Sequence, residues 1–194
     1  IGVLASGEGT NFQELINLSE KGELDIDIKV LITNKDDAGC IERAESVKIP
    51  HKIIRGKDFS QKELFELEII NTLINYDVEL IVMAGWMKIV TPFFINKFKN
   101  KIINIHPSLL PAYKGGSAIK ESLSNGSKIT GCSVHFVDEE VDSGSLIIQA
   151  ALQIFDKDNI ETLTKKIQIL EHKILPHSIC HAGFLIRHNF MGNY

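Results

Sequence analysis

Apolar residues gather in short runs at 1–5, 28–33, 51–54, 79–84 and 101–105, each of strand length and rich in β-branched side chains. Between these runs the apolar positions recur at helical spacing over 11–21, 38–47, 60–75 and 92–98. Two of the helices carry a start signal. Ser60 with Glu63 has the form of a capping box, and Thr91 stands as an N-cap before Pro92 at the first helical position. Alternation of this kind predicts a Rossmann-like α/β fold, an open and mostly parallel sheet with helices on both faces. The later pattern differs. Runs at 129–137 and 145–152 read as strands joined by the polar loop Asp138-Glu139-Glu140-Val141-Asp142-Ser143-Gly144, an antiparallel extension of the sheet. A long helix is expected over 159–175, with Asp158 and Glu161 as its capping pair and Pro176 breaking or kinking it. No repeat, low-complexity tract or linker intervenes, so residues 1–194 read as a single domain.

Composition narrows the class. A chain of 194 residues can bury a sizeable core, and its net charge of -4 offers no basic footprint for nucleic acid. No apolar run approaches the roughly 18–20 residues that span a bilayer. Cys40, Cys132 and Cys180 are odd in number, widely spaced and without a CxxC pair. They suit buried thiols in a reducing cytosol rather than a disulfide framework or a zinc site. The sequence opens on Ile1 inside an apolar run, so a residue or more is expected before it and a signal peptide finds no support. The expectation is a cytoplasmic protein with neither membrane nor nucleic acid as partner.

The chemistry centres on Asn104-Ile105-His106-Pro107-Ser108-Leu109-Leu110-Pro111. Residues i and i+2 of a strand point the same way, so Asn104 and His106 share a face where a strand gives way to a loop stiffened by two prolines. In an open α/β sheet, ligands bind at the carboxyl ends of the strands, where this pair falls. Histidine exchanges protons near neutrality, and a neighbouring carboxylate favours the imidazolium; Asp142 is a candidate for that carboxylate. The Asn104 amide can donate to an oxyanion. A donor, a proton carrier and a carboxylate suit attack of a nitrogen on a carbonyl carbon. No GxSxG accompanies them, so a serine nucleophile is not indicated.

Ser6-Gly7-Glu8-Gly9-Thr10-Asn11 follows the first strand and opens the first helix, as a phosphate-binding loop does. The dinucleotide fingerprint fails, because Phe12 stands three beyond Gly9 and the second strand ends in Thr33-Asn34 without a carboxylate. No GKS or GKT follows, so a single phosphate fits better than a dinucleotide or a triphosphate. His177 and His181 lie four apart on a possible helix but lack an HExxH pattern, and no metal is expected. Asp138-Glu139-Glu140 reads as a solvated loop. Trp86, Met87, Phe93 and Phe94 read as core or pocket wall, and Glu171 as a solvated helix carboxylate.

Together these residues make the chain resemble the phosphoribosylglycinamide formyltransferases, folate enzymes of purine biosynthesis. The resemblance covers nearly the whole sequence. It rests on Ser6-Gly7-Glu8-Gly9-Thr10-Asn11, Ala84-Gly85-Trp86-Met87-Lys88-Ile89-Val90, Asn104 to Pro111, Gly131-Cys132-Ser133-Val134-His135-Phe136-Val137, Asp142-Ser143-Gly144 and Glu171-His172. The Asn-x-His-Pro-Ser-x-Leu-Pro stretch is shared with other formyl-handling enzymes, and the opening Ser-Gly-x-Gly-Thr-Asn discriminates more.

Carried over, the resemblance implies that Gly9, Thr10 and Asn11 hold the ribose phosphate of glycinamide ribonucleotide. The N-terminal half then binds the nucleotide, and the C-terminal half serves folate binding and catalysis. Met87, Lys88, Ile89 and Val90 would line the pterin pocket, and Asp138, Glu139, Glu140 and Val141 would close it. Lys62 would meet the glutamate tail of the folate and Glu171 would place the substrate amine. Asn104, His106 and Asp142 match the catalytic trio, with Asn104 also touching the donor. The donor implied is 10-formyltetrahydrofolate without a metal, the partners small molecules, and the assembly a monomer or homodimer. Ser117 and Ser145 depart from residues common in relatives. A formyltetrahydrofolate hydrolase and a non-catalytic binder of a phosphorylated metabolite are the alternatives. Methionyl-tRNA formyltransferase is disfavoured, since it must meet RNA and this chain is acidic.

Overall fold

The predicted strands all form, in a computed structural model that describes residues 1–188. They follow the order β3-β2-β1-β4-β5-β6-β7 in a seven-stranded sheet. The members are β1 (Gly2–Ala5), β2 (Val30–Thr33), β3 (His51–Ile53), β4 (Ile81–Met83), β5 (Ile102–His106), β6 (Ile129–Phe136) and β7 (Leu146–Gln153). The chain divides into two compact units, Ile1–Ile103 and a second from Asn104 onward.

In the first unit β1 pairs in parallel with β2 and β4, and β2 with β3. Their continuous apolar runs reflect burial on both faces: every residue of β1, β2 and β4 is buried. Around them run α1 (Thr10–Glu20), α2 (Cys40–Ser46), α3 (Lys62–Asn75) and α4 (Pro92–Lys97). The α1 helix buries Asn11, Phe12, Leu15 and Ile16, one stripe at helical spacing. Each fully buried Phe, Leu or Ile of this kind stabilises the fold by roughly 1.5–3 kcal/mol. The capping box expected at Ser60 is not made. The helix starts two residues later, with Gln61 as an extended N-cap whose side chain makes no capping bond. Thr91 is the N-cap of α4 with Pro92 just inside, as expected, yet its side chain does not cap that helix either. A short 3-10 turn, Gly56–Asp58, has no periodicity that would betray it.

In the second unit β6 and β7 pair antiparallel, with a register irregularity between Val134 and His135. The long helix α6 (Ile160–Arg187) packs on both strands. Its capping box joins Asn159 to Thr162, each side chain bonding the other's backbone N–H, rather than Asp158 to Glu161. Asp158 instead accepts from Phe155 N–H and from Lys166 Nζ. Pro176 does not end the helix, which continues for eleven further residues to Arg187. A proline within a helix removes one amide donor and crowds the carbonyl four residues back. Here the buried stripe runs through it, from Leu163, Ile167 and Ile174 to Ile179, Ala182 and Leu185, and packing holds both halves in one helix. A further helix, α5 (Ala118–Ser124), escaped the sequence reading, being seven residues long with no capping bond.

Candidate active site

His106 is the last residue of β5 and Asn104 stands two before it, on the face that strand alternation dictates. Asp142 lies far along the chain in the β6–β7 loop, with a left-handed backbone (φ 51). The fold brings the three together. His106 Nδ1 is 3.4 Å from Asp142 Oδ2, and Asn104 Nδ2 is 3.4 Å from Oδ1. His106 Nε2 meets the backbone carbonyl of Tyr113 at 2.7 Å, which marks that nitrogen as a donor. Its other nitrogen therefore faces the carboxylate, and an imidazolium can donate to both.

A fourth member was not among the expected site residues. His135 Nε2 lies 3.6 Å from Asp142 Oδ1 and 3.3 Å from Asn104 Nδ2, while its Nδ1 donates to the Phe136 carbonyl at 2.7 Å. A signal for it was present. Ser133 and His135 are polar residues at i and i+2 in an apolar strand, the same alternation that singles out Asn104 and His106. Both are buried.

Burial by itself would push the Asp142 carboxyl up. Hydrogen bonds from His135 and from Gly115 N–H (2.7 Å), with the charges of His106 and His135, outweigh burial and hold it at about 2. The carboxylate is thus ionised near neutrality and oriented from three sides. The Asn104 amide donates to Asp142 Oδ1 over 3.4 Å and lies 3.3 Å from His135 Nε2. Bonds that long are weak and yield readily to a better acceptor.

The loop after β5 is held by polar side chains of β6 and β7 as well as by its own Ser108. Ser133 Oγ donates to Ser108 O (2.6 Å) and accepts from Leu110 N–H (3.0 Å) and Gln149 Nε2 (2.9 Å). Ser108 Oγ donates to Ala112 O at 2.5 Å, and the Leu110-Pro111 bond is cis. Gly144 shows why glycine follows Asp142-Ser143: a Cβ there would sit 1.8 Å from the Phe136 carbonyl oxygen, the acceptor that orients His135.

The other expected residues fall as follows. Asp138, Glu139, Glu140 and Val141 form the exposed loop before Asp142. Asp138 Oδ1 accepts from Glu140 N–H and Ser143 Oγ, and Glu140 pairs with Lys114 at 3.1 Å, so the loop supports its own turn. Glu171 is buried on α6 rather than solvated. It lies near Cys132, whose thiol is pushed up to about 12 by burial first and by the Glu171 charge second. His177 and His181 are exposed on α6, and no group of three metal-ligating side chains occurs among the described residues.

In the first unit, Gly9 is the left-handed N-cap of α1 (φ 69). A Cβ on it would lie 2.6 Å from Cys40 Cβ, so glycine is required for the turn and for the close approach of α2. Arg43 braces the loop, donating to Glu8 O (2.6 Å) and Gln13 Oε1 (2.9 Å). Thr10 and Asn11 follow as the first residues of α1. Lys62 is the exposed first residue of α3. Met87, Lys88, Ile89 and Val90 occupy the loop between β4 and α4; Met87 is 69% and Ile89 64% exposed. Trp86 and Phe94 are core, whereas Phe93 is exposed.

These residues have counterparts elsewhere. The chain is 43% identical over 181 residues to a trifunctional purine biosynthetic protein adenosine-3 from Chironomus tentans, covering 92% of this chain and 13% of that protein. It is 40% identical over 174 residues to a phosphoribosylglycinamide formyltransferase from Bacillus subtilis, covering 90% of this chain and 89% of that one. The chain thus spans 13% to 18% of the length of trifunctional relatives from Chironomus tentans and Gallus gallus, and most of the bacterial enzyme. The crystal structure of phosphoribosylglycinamide formyltransferase from Bacillus halodurans superposes with a TM-score of 0.90 at 37% identity, covering 95% of this chain and 94% of that one. The match to the formyl transferase family takes in residues 1–179, from the glycine loop through the trio to Glu171, and the chain belongs to that family.

Proposed function

We propose that the protein transfers the formyl group of 10-formyltetrahydrofolate to the primary amine of glycinamide ribonucleotide, a step of purine biosynthesis. The observation that carries this reading is the convergence of Asn104, His106 and Asp142, supported by relatives named for that activity. The amine attacks the formyl carbon and a tetrahedral oxyanion forms. Asn104, released from its long bonds, donates to that oxyanion, and protonated His106 joins it once its Nε2 leaves the Tyr113 carbonyl. Asp142 orients the imidazole and keeps it charged. As the carbon–nitrogen bond to the folate breaks, the proton lost by the amine is delivered to the departing folate nitrogen. A single well-placed oxyanion donor contributes roughly 10²–10³-fold in rate.

The supporting roles are proposals of the same reading. Gly9, Thr10 and Asn11 hold the ribose phosphate, and Glu171 places the amine. Met87, Lys88, Ile89 and Val90 contact the pterin, with Asp138, Glu139, Glu140 and Val141 closing over it and Lys62 meeting the glutamate tail. The reading treats residues 1–194 as one formyltransferase domain, cytoplasmic, without metal, nucleic acid or membrane, and monomeric or homodimeric. No helix among the described residues is long and apolar enough to cross a membrane.

The deciding experiment follows ultraviolet absorbance as a 10-formylfolate donor loses its formyl group, with and without glycinamide ribonucleotide. Loss that requires the ribonucleotide is the expected result. Loss without it identifies a hydrolase, and no loss in either case identifies a non-catalytic binder.

A further inference from the structure

Glu66 is a carboxylate almost entirely out of solvent, 1% exposed, on the buried side of α3. A charge in that position is costly unless it is fully met by donors. Two of its donors come from one residue. Thr91 gives Glu66 Oε1 its backbone N–H at 2.8 Å, and its hydroxyl donates to Oε2. The hydroxyl is thereby taken from the task that its position invites. A threonine at an N-cap normally accepts from an amide of the first turn, and Thr91 makes no such bond to α4. Local helix stability has been given up for a tie between α3 and the residue that ends the 85–90 loop.

That loop is tied at its other end as well. Ser6 N–H donates to Gly85 O at 3.0 Å, and Ser6 Oγ accepts from Met87 N–H at 3.0 Å while donating to Asn34 Oδ1 at 2.6 Å. Next to Glu66 on α3, Phe65 stacks on Trp86 with ring centroids 6.4 Å apart and planes 4° apart. Between the ties the backbone carries Met87, Lys88 and Ile89 out into solvent. Apolar side chains held outward on a loop fastened at both ends are set for a ligand and not for the core.

We propose that Glu66 is a positioning residue for the formyl donor, fixing the exit of the 85–90 loop through Thr91 so that Met87 to Val90 meet the donor in one conformation. The proposal rests on the reading that this loop binds the donor. Preorganising a loop lowers the cost of ordering it on binding, so loss of the tie weakens the donor and spares the ribonucleotide.

Steady-state kinetics on four variants tests this, with each substrate varied in turn. Ile89→Ala tests the loop reading itself and should raise the donor KM. Glu66→Gln and Thr91→Val should each raise the donor KM roughly tenfold, the scale of one hydrogen bond to a charged group, with the ribonucleotide KM held within about twofold. Thr91→Ser keeps both donors and should restore the donor KM. Should Glu66→Gln fail to fold, Thr91→Val still decides, since it removes only the hydroxyl. A donor KM unmoved in Thr91→Val but raised in Ile89→Ala overturns the role of Glu66 and leaves the loop reading standing. A lowered melting temperature with both KM values unchanged overturns it too, as does an equal rise in both. A donor KM unmoved in Ile89→Ala overturns the loop reading and the proposal with it.

Discussion

The Nδ1 of His106 faces Oδ2 of Asp142 at 3.4 Å, with both side chains nearly closed off from solvent. This contact orients the imidazole, because the opposite nitrogen is already committed to the Tyr113 carbonyl. Asp142→Asn keeps the shape and removes the charge that favours an imidazolium. Turnover should fall roughly 10²–10⁴-fold, the range lost with acid–base assistance. A single-turnover measurement checks it, and near-normal rates would remove the carboxylate from the reaction.

The same carboxylate links folding to pH. Its folded value of about 2 lies below the roughly 3.9 of an unfolded aspartate, so the group stabilises the protein above the unfolded value. That contribution is lost as pH falls from about 4 through 2. It amounts to ~2 kcal/mol. Urea unfolding at descending pH should show the wild type losing more stability across this window than Asp142→Asn. Parallel losses would mean that the cluster does not hold the carboxylate ionised.

His135 supports Asp142 and Asn104 at once, and its replacement should be felt at both. In His135→Phe both Asp142 and the Asn104 amide lose the ring nitrogen that they face. Turnover should drop about tenfold, the worth of one hydrogen bond to a charged group, with a shifted pH–rate profile. An unchanged profile with a lower melting temperature would make His135 a core residue only.

Gly144 offers a test of the scaffold behind that histidine. A methyl at this position would overlap the Phe136 carbonyl oxygen at 1.8 Å, so the backbone must shift and the acceptor of His135 Nδ1 moves with it. Gly144→Ala should cost ~1–3 kcal/mol by overpacking and lower turnover as well. Thermal denaturation beside activity reads both, and a variant as stable and as active as wild type would show the approach to be soft.

Much of the fold was legible because its signals are local. Apolar runs marked every strand, and helical spacing marked α1 to α4 and the start of α6. Ser60 with Glu63 and Asp158 with Glu161 satisfy the capping pattern, yet the caps fall one residue later, at Gln61 without a side-chain bond and at Asn159, which takes the Thr162 amide. Pro176 signals a break that the buried stripe on either side overrides, and α5 carries too few residues to show a period.

The residues themselves determined that Asn104 and His106 share a face, since strand geometry forces i and i+2 together. They also determined that Gly9 begins a helix. Only the tertiary structure decided that Asp142, 38 residues from Asn104, completes the cluster, that His135 joins it, and that the Thr91 hydroxyl serves Glu66 instead of its own helix. Backbone conformation follows from short-range sterics and hydrogen bonding, which a few residues specify. The partner of a buried polar side chain is chosen by whichever distant group packing brings within 3–4 Å, and local sequence carries little record of that.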